Sequence, residues 1–225
     1  MKKSLFIVTL ILVIDQVFKF WIKTHMALGE EFRVFDDWFI IHFTENPGMA
    51  FGLQFSGDYG KLILSLFRLV AITVLVFYIY NLTRHKVSNV VLISLSLVLA
   101  GATGNMIDSA FYGMVFSDSS YFEVARFLPP EGGYASFLHG KVVDMLYFPV
   151  ISGTYPEWVP FFGGSEFQFF RPVFNIADSS ITIGVIIMVL FQKQFFGKKQ
   201  HTEEPEAQPE GDEVKKKIDV ETKAL

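Results

Sequence analysis

The sequence predicts a membrane protein, mainly α, with four transmembrane helices and a small outward-facing sheet. Three observations carry this. Four apolar stretches, about 4–22, 62–82, 89–110 and 173–196, are each long enough to cross roughly 30 Å of hydrocarbon at about 1.5 Å per residue. The chain is 51% hydrophobic, and 14 of its 42 charged residues crowd between Lys198 and Lys223, so the rest is more apolar than the mean hydropathy of +0.38 implies. Basic residues mark alternate ends of the stretches: Lys2 and Lys3, then Arg84 and Lys86, then Lys193, Lys198 and Lys199. Positively charged flanks stay in the cytoplasm. Both termini are therefore expected inside, with residues 23–61 and 111–172 outside.

The first stretch begins like a secretory signal, Met1-Lys2-Lys3 followed by an apolar run. No small-residue cleavage site follows, and the run continues through Asp15 and Lys19 to Trp21, which predicts an uncleaved span. The first outer segment alternates aromatic and β-branched runs, Phe32-Arg33-Val34 and Phe39-Ile40-Ile41-His42-Phe43, before the turn residues Asn46-Pro47-Gly48. A small sheet on the membrane surface is expected there. The second outer segment, with Pro129-Pro130, Gly132-Gly133 and Gly163-Gly164, reads as a partly ordered loop with one short helix. Its Trp158 and Phe161-Phe162 suit either the bilayer interface or packing on the sheet. Residues 1–196 form the expected membrane-embedded domain. The Glu/Lys/Pro/Gln-rich residues 197–225 form an expected disordered cytoplasmic tail.

Several classes of function drop out. There is no cysteine, hence no disulfide, thiol nucleophile or thiolate metal site. No basic face is available for nucleic acid. The five histidines lack metal-ligand spacing such as H-E-x-x-H, so no metal and no other cofactor is expected. Lys61 and Ser65 stand one helical turn apart, but they read as an interfacial anchor and a packing residue rather than a nucleophilic pair.

The polar residues within the spans carry the functional signal. A carboxylate in hydrocarbon costs at least about 2.5–3.5 kcal/mol, so each needs a reason. Asp15 and Lys19 are spaced i, i+4 in the outer half of span one; Arg68 lies in the outer half of span two. Asn105 and Asp108 lie at the outer end of span three. Asn175 and Asp178 lie in the first turns of span four, on one helical face. Asp144 belongs to the outer loop between them. Topology alone thus gathers these groups at one depth. Taken singly, each could reach the headgroups from a helix end. Two Asn-x-x-Asp pairs converging with Asp15 and Asp144 fit a site better. Two carboxylates sharing a proton can activate a water with one member and polarise a carbonyl with the other.

Five motifs occur in order: Asp15-Gln16-Val17-Phe18-Lys19, Asn46-Pro47-Gly48-Met49-Ala50-Phe51, Gly104-Asn105-Met106-Ile107-Asp108, Val142-Val143-Asp144 and Phe174-Asn175-Ile176-Ala177-Asp178. Together they resemble lipoprotein signal peptidase, also called signal peptidase II. The resemblance implies an intramembrane aspartic endopeptidase of the bacterial cytoplasmic (inner) membrane. It would remove the signal peptide of a diacylglyceryl-modified prolipoprotein just before the lipidated Cys. It implies Asp144 and Asp178 as the catalytic pair and Asn46, Gly48, Asn105, Asp108 and Asn175 as site residues, with Asp15 and Lys19 as a supporting pair. It further implies an outer β-cradle, a monomer working among membrane lipids, and inhibition by globomycin.

Two features depart from the family pattern. Ser109 stands where the family usually has Arg, which leaves Arg68 or Lys19 as the charge partner of Asp108. The outer loop between helices 3 and 4 is enlarged: 35 residues separate Asp108 from Asp144. Asp144 is then expected to be the movable member of the pair, set on a mobile loop, and Asp178 the fixed one. The rival readings are a small transporter or ion-conducting protein, and a receptor or assembly factor using the outer loop. The transporter predicts polar residues through the midplane and repeat symmetry, and neither is visible.

Overall fold

The computed structural model describes residues 1–36, 38–47, 57–85, 87–169 and 172–196. Gly48 and the tail from residue 197 lie outside them. Met1–Phe195 form one compact unit.

Among the described residues, three helices are long and apolar enough to cross a membrane: α1 (Lys2–His25), α2 (Gly57–Thr83) and the one that begins as α3 (Asn89–Ile107). Ser88 caps α3 by accepting from the Val90 amide. The third span outlasts its expected end. It continues as a π-helical turn, Asp108–Tyr112, and a last turn α4, Gly113–Val115. π turns recur at functional sites.

The fourth apolar helix, α5 (Ile176–Leu190), differs from the expected 173–196. It holds 15 residues, about 22 Å, and a short α6 (Gln192–Phe196) follows. Val173–Phe174 are not helical but form a strand, β6. The reason is Asn175, whose extended backbone (φ −120°) and side chain cap the helix.

The expected small sheet exists and is larger than residues 32–43 foretold. Strands β1 (Glu31–Phe35), β2 (Phe39–Asn46), β3 (Val142–Tyr147) and β6 lie in the order β1-β2-β3-β6, all antiparallel. Half of this sheet, β3 and β6, comes from the chain between α4 and α5. A separate hairpin, β4 (Ile151–Thr154) and β5 (Glu166–Phe169), stands between β3 and β6. At its tip Trp158 is 81% exposed and Phe161 fully exposed, so they do not pack on the sheet.

Helix α3 is the hub, packing on α1, α2 and α5. Small residues allow the closest approach. A Cβ on Gly101 would sit 2.1 Å from the Ala177 carbonyl oxygen, and one on Gly184 would sit 2.7 Å from that of Ser94. Ser180 adds a hydrogen bond to the Leu97 carbonyl at 2.8 Å. Lipid offers helices no hydrophobic drive to associate, so close van der Waals packing and such bonds replace it. A second core lies under the sheet, where Ile22, Met26, Ile41, Phe43, Tyr112, Phe116, Val143 and Met145 meet. It seats β3 against the C-terminal ends of α1 and α3.

Candidate active site

The site lies where α1, α3, β3 and the start of α5 converge. Lys19, 0% exposed, is its electrostatic centre. Its ammonium contacts Asp15 at 3.0 Å and Asp108 at 2.8 Å, and donates to Asn105 Oδ1 at 2.9 Å. Lys19 is therefore the partner of Asp108, which needs no arginine at position 109. Ser109 turns inward instead and donates to the Asn105 carbonyl at 3.0 Å.

Buried ions of this kind persist only when their remaining lone pairs are filled. Here they are. The Ala177 amide donates to Asp15 at 2.9 Å, and the Val143 amide donates to Asp108 at 3.2 Å. Gln16 Nε2 donates to Asp108 at 2.9 Å and to Asp15 at 3.1 Å. Tyr112 in turn donates to Gln16 Oε1 at 3.3 Å. This cluster ties α1, α3, β3 and α5 to one another through polar contacts. Gly104 is part of it, because a Cβ there would sit 2.7 Å from Asp15 Oδ2.

The two remaining carboxylates stand on the other side of Asn105. Asn105 Nδ2 donates to Asp178 Oδ1 at 2.7 Å. Asn175 Nδ2 donates to Asp144 Oδ1 at 2.7 Å and to Asn105 Oδ1 at 3.0 Å. The backbone amide of Asp178 donates to Asn175 Oδ1 at 2.8 Å, while the Asn175 amide donates to Asp178 Oδ2 at 3.4 Å. This is a capping box with Asp at its third position. The expected sharing of a helical face by Asn175 and Asp178 is thus replaced by reciprocal capping. Asn105 and Asn175 form a two-amide bridge between Asp144 and Asp178.

Asp144 is not on a mobile loop. It sits within β3, opposite Thr44 of β2, and is 4% exposed. Burial, and next the negative charge of Asp178, push its carboxyl up to about 7; Lys19 and the Asn175 amide pull the other way. Asp178 is half-buried, and its charge also reaches Arg68 on α2. Arg68 thus stands within electrostatic reach of Asp178. Asn46 ends β2 in register with Val142, one strand from Asp144. Lys61 and Ser65 hold neighbouring carbonyls, those of His139 (2.6 Å) and Leu138 (3.1 Å), and so tie α2 to the outer segment.

Sequence reasoning missed a second ionic cluster, with the Lys23–Glu45 pair buried at its centre. Lys23, 0% exposed, pairs with Glu45 and donates to Ser119 Oγ at 2.8 Å. Lys141 joins Glu45 at 3.3 Å and Asp118 at 2.7 Å. Lys23 had a readable signal, one helical turn beyond Lys19 on the same face. Gln16 had one too, as an amide inside an apolar run. Glu45 had none, since its partners arrive from distant segments.

The comparisons with known proteins agree with one another. The sequence model of signal peptidase (SPase) II matches residues 7–193. The lipoprotein signal peptidase of Porphyromonas gingivalis is 50% identical over 185 residues, covering 82% of this chain and 80% of that protein. The lipoprotein signal peptidase of Amoebophilus asiaticus is 40% identical over 187 residues, covering 82% and 75%. Two solved structures described as a bacterial membrane enzyme superpose with TM-scores of 0.57 and 0.54, at 25% and 26% identity, over 89% and 84% of this chain and 93% and 92% of theirs. On the span of the match and the identity to these relatives, the chain belongs to the signal peptidase II family of membrane proteases.

Proposed function

We propose that this protease removes the signal peptide of a diacylglyceryl-modified prolipoprotein by water attack directed from Asp144 and Asp178, just before the lipid-bearing Cys. The observation that carries the reading is the two-amide bridge. Asn105 and Asn175 fix one oxygen of each carboxylate through their side-chain amides without adding charge, and Asp178 Oδ2 also accepts from the Asn175 backbone amide. Asp144, held up to about 7, is the member suited to keep the shared proton. It would donate to the scissile carbonyl while ionised Asp178 takes a proton from the attacking water. The resulting tetrahedral diol collapses with protonation of the departing amine, and both carboxyls return to their starting states. Asp178 is the more accessible of the two, on the side where Arg68 and α2 stand.

Lys19, Asp15, Asp108 and Gln16 are positioning residues in this scheme. They fix α3 and β3 against α1 and so hold Asn105 and Asp144 in place. The basic flanks support a site near the outer leaflet with both termini in the cytoplasm. There a substrate could enter sideways with its acyl chains still in lipid.

The test is the chemistry of the break. Purified protein in lipid vesicles is given lipidated precursor together with hydroxylamine. Direct water attack yields only the free carboxylate at the new C-terminus, and chelators leave the rate unchanged. A peptidyl hydroxamate would reveal a covalent acyl-enzyme and overturn the scheme.

A further inference from the structure

The first part of the segment between the third and fourth apolar helices, residues 116–141, is not a loose loop. Its backbone is bonded along its length to the end of the third span. Leu128 donates to the Val115 carbonyl at 2.7 Å, Tyr134 to Phe116 at 3.1 Å, Ala135 to Gly113 at 2.8 Å and Gly140 to Ser109 at 2.8 Å. A Cβ on Gly133 would lie 2.2 Å from the Gly113 carbonyl oxygen, so the approach there admits no side chain. A segment this firmly held could bury its large apolar groups, yet Phe127 is 49%, Leu128 64% and Phe137 51% exposed.

Their neighbours explain the exposure. Phe127 meets Phe20 of α1 with ring centroids 5.2 Å apart, and Phe137 meets Phe111 of the π turn at 5.8 Å. Phe20 and Phe111 are themselves exposed, as are Trp21 and Met114 beside them. Those are exposed apolar surfaces of two helices long and apolar enough to cross a membrane, and residues 116–141 prolong them. Leu128 also holds φ +48°, a left-handed backbone that branched side chains avoid. Such strain persists only where the surroundings impose it. Arg126, next to Phe127 in the chain, pairs with Glu131 at 2.5 Å and is exposed, a charged fringe suited to headgroups.

We infer that residues 116–141 form a bilayer-seated platform, with Phe127, Leu128 and Phe137 immersed in the leaflet beside the sheet, that sets the depth of β3 in the membrane. The platform leads directly into Lys141 and the strand bearing Asp144. A substrate tethered by its own acyl chains presents its bond at a fixed depth, so the opposing carboxyl must be held at that depth. This second half rests on the catalytic reading of Asp144; the immersion itself does not.

The experiment separates the two. Trp21, Trp38 and Trp158 are replaced by Phe, and Phe127→Trp, Leu128→Trp and Phe137→Trp are made one at a time. Each protein is reconstituted in phosphatidylcholine vesicles carrying bromine on the acyl chains. Immersion predicts strong loss of fluorescence to the brominated lipid and shielding from aqueous acrylamide. Acrylamide quenching without bromine quenching would place the patch in water, open to a soluble partner, and overturn the inference. Leu128→Asp then tests the depth role. It should raise KM for lipidated precursor several-fold in vesicles while leaving cleavage in detergent micelles unchanged. Equal behaviour in vesicles and micelles would contradict it. The quenching needs no cleavage, so it stands or falls independently of Asp144 and Asp178.

Discussion

The Asn175 amide donates to the Asp144 carboxylate at 2.7 Å, while its own carbonyl oxygen caps α5 at the Asp178 amide, 2.8 Å away. One side chain therefore ends a strand-to-helix turn and sets the geometry of both acids. Asn175→Ala should lose about 0.5–2 kcal/mol of stability through the cap and most of the cleavage rate. Asn175→Asp keeps an acceptor for the cap but places a third carboxylate beside Asp144. Thermal unfolding and cleavage assays on both variants should show stability partly restored by Asp and activity not restored. Recovery of cleavage in Asn175→Asp would count against the bridge.

Lys19 neutralises Asp15 and Asp108 where none of the three is exposed. Lys19→Met strands two buried carboxylates and should cost about 3–5 kcal/mol. Adding Asp108→Asn should recover part of that loss, since one unpaired charge is removed. Denaturant titration in micelles measures both. A Lys19→Met protein as stable as the parent would show that the cluster contributes little.

The contact of α3 with α5 depends on a bare backbone. Gly101→Ala drives a methyl to 2.1 Å from the Ala177 carbonyl oxygen, a backbone atom that cannot swing aside. Overpacking of this kind costs about 1–3 kcal/mol. Because Ala177 precedes Asp178, cleavage should fall along with thermal stability. A Gly101→Ser protein should suffer likewise.

Asp144 supplies a pH signature. In the unfolded chain its pKa lies near the usual value of about 4, and in the folded chain it is raised to about 7. Its proton therefore favours folding fully below about pH 4, and that contribution is lost as pH rises to about 7. The parent should show a decline in stability over this window that Asp144→Asn lacks. Activity should fall on the alkaline side near pH 7, as the shared proton leaves. A rate that stays flat well above pH 7 would assign the proton elsewhere.

Much of the helical frame was legible because spans are written in apolar length, and length survives ignorance of tertiary contacts. Asp15 and Lys19 were legible too, since their pairing is local to one helix. The partnership of Lys19 with Asp108 joins two helices, and spacing left Arg68 as an equal candidate. Asp144 was misjudged as loop-borne because β3 owes its strand state to β2 and β6, both distant in sequence. Val173 and Phe174 read as the start of a span because they are apolar, yet Asn175 stops the helix from reaching back to them. The order of residues 116–141 was illegible for the same reason: their bonds run to the backbone of residues 109–116, which no composition signal reports.

The central claim is that Asp144 and Asp178 act together on one water. The direct measurement is cleavage of lipidated precursor in vesicles by Asp144→Asn and Asp178→Asn, each shown to be folded by thermal unfolding. The account predicts that both variants stay folded and lose cleavage by orders of magnitude. Substantial cleavage by either folded variant would contradict it.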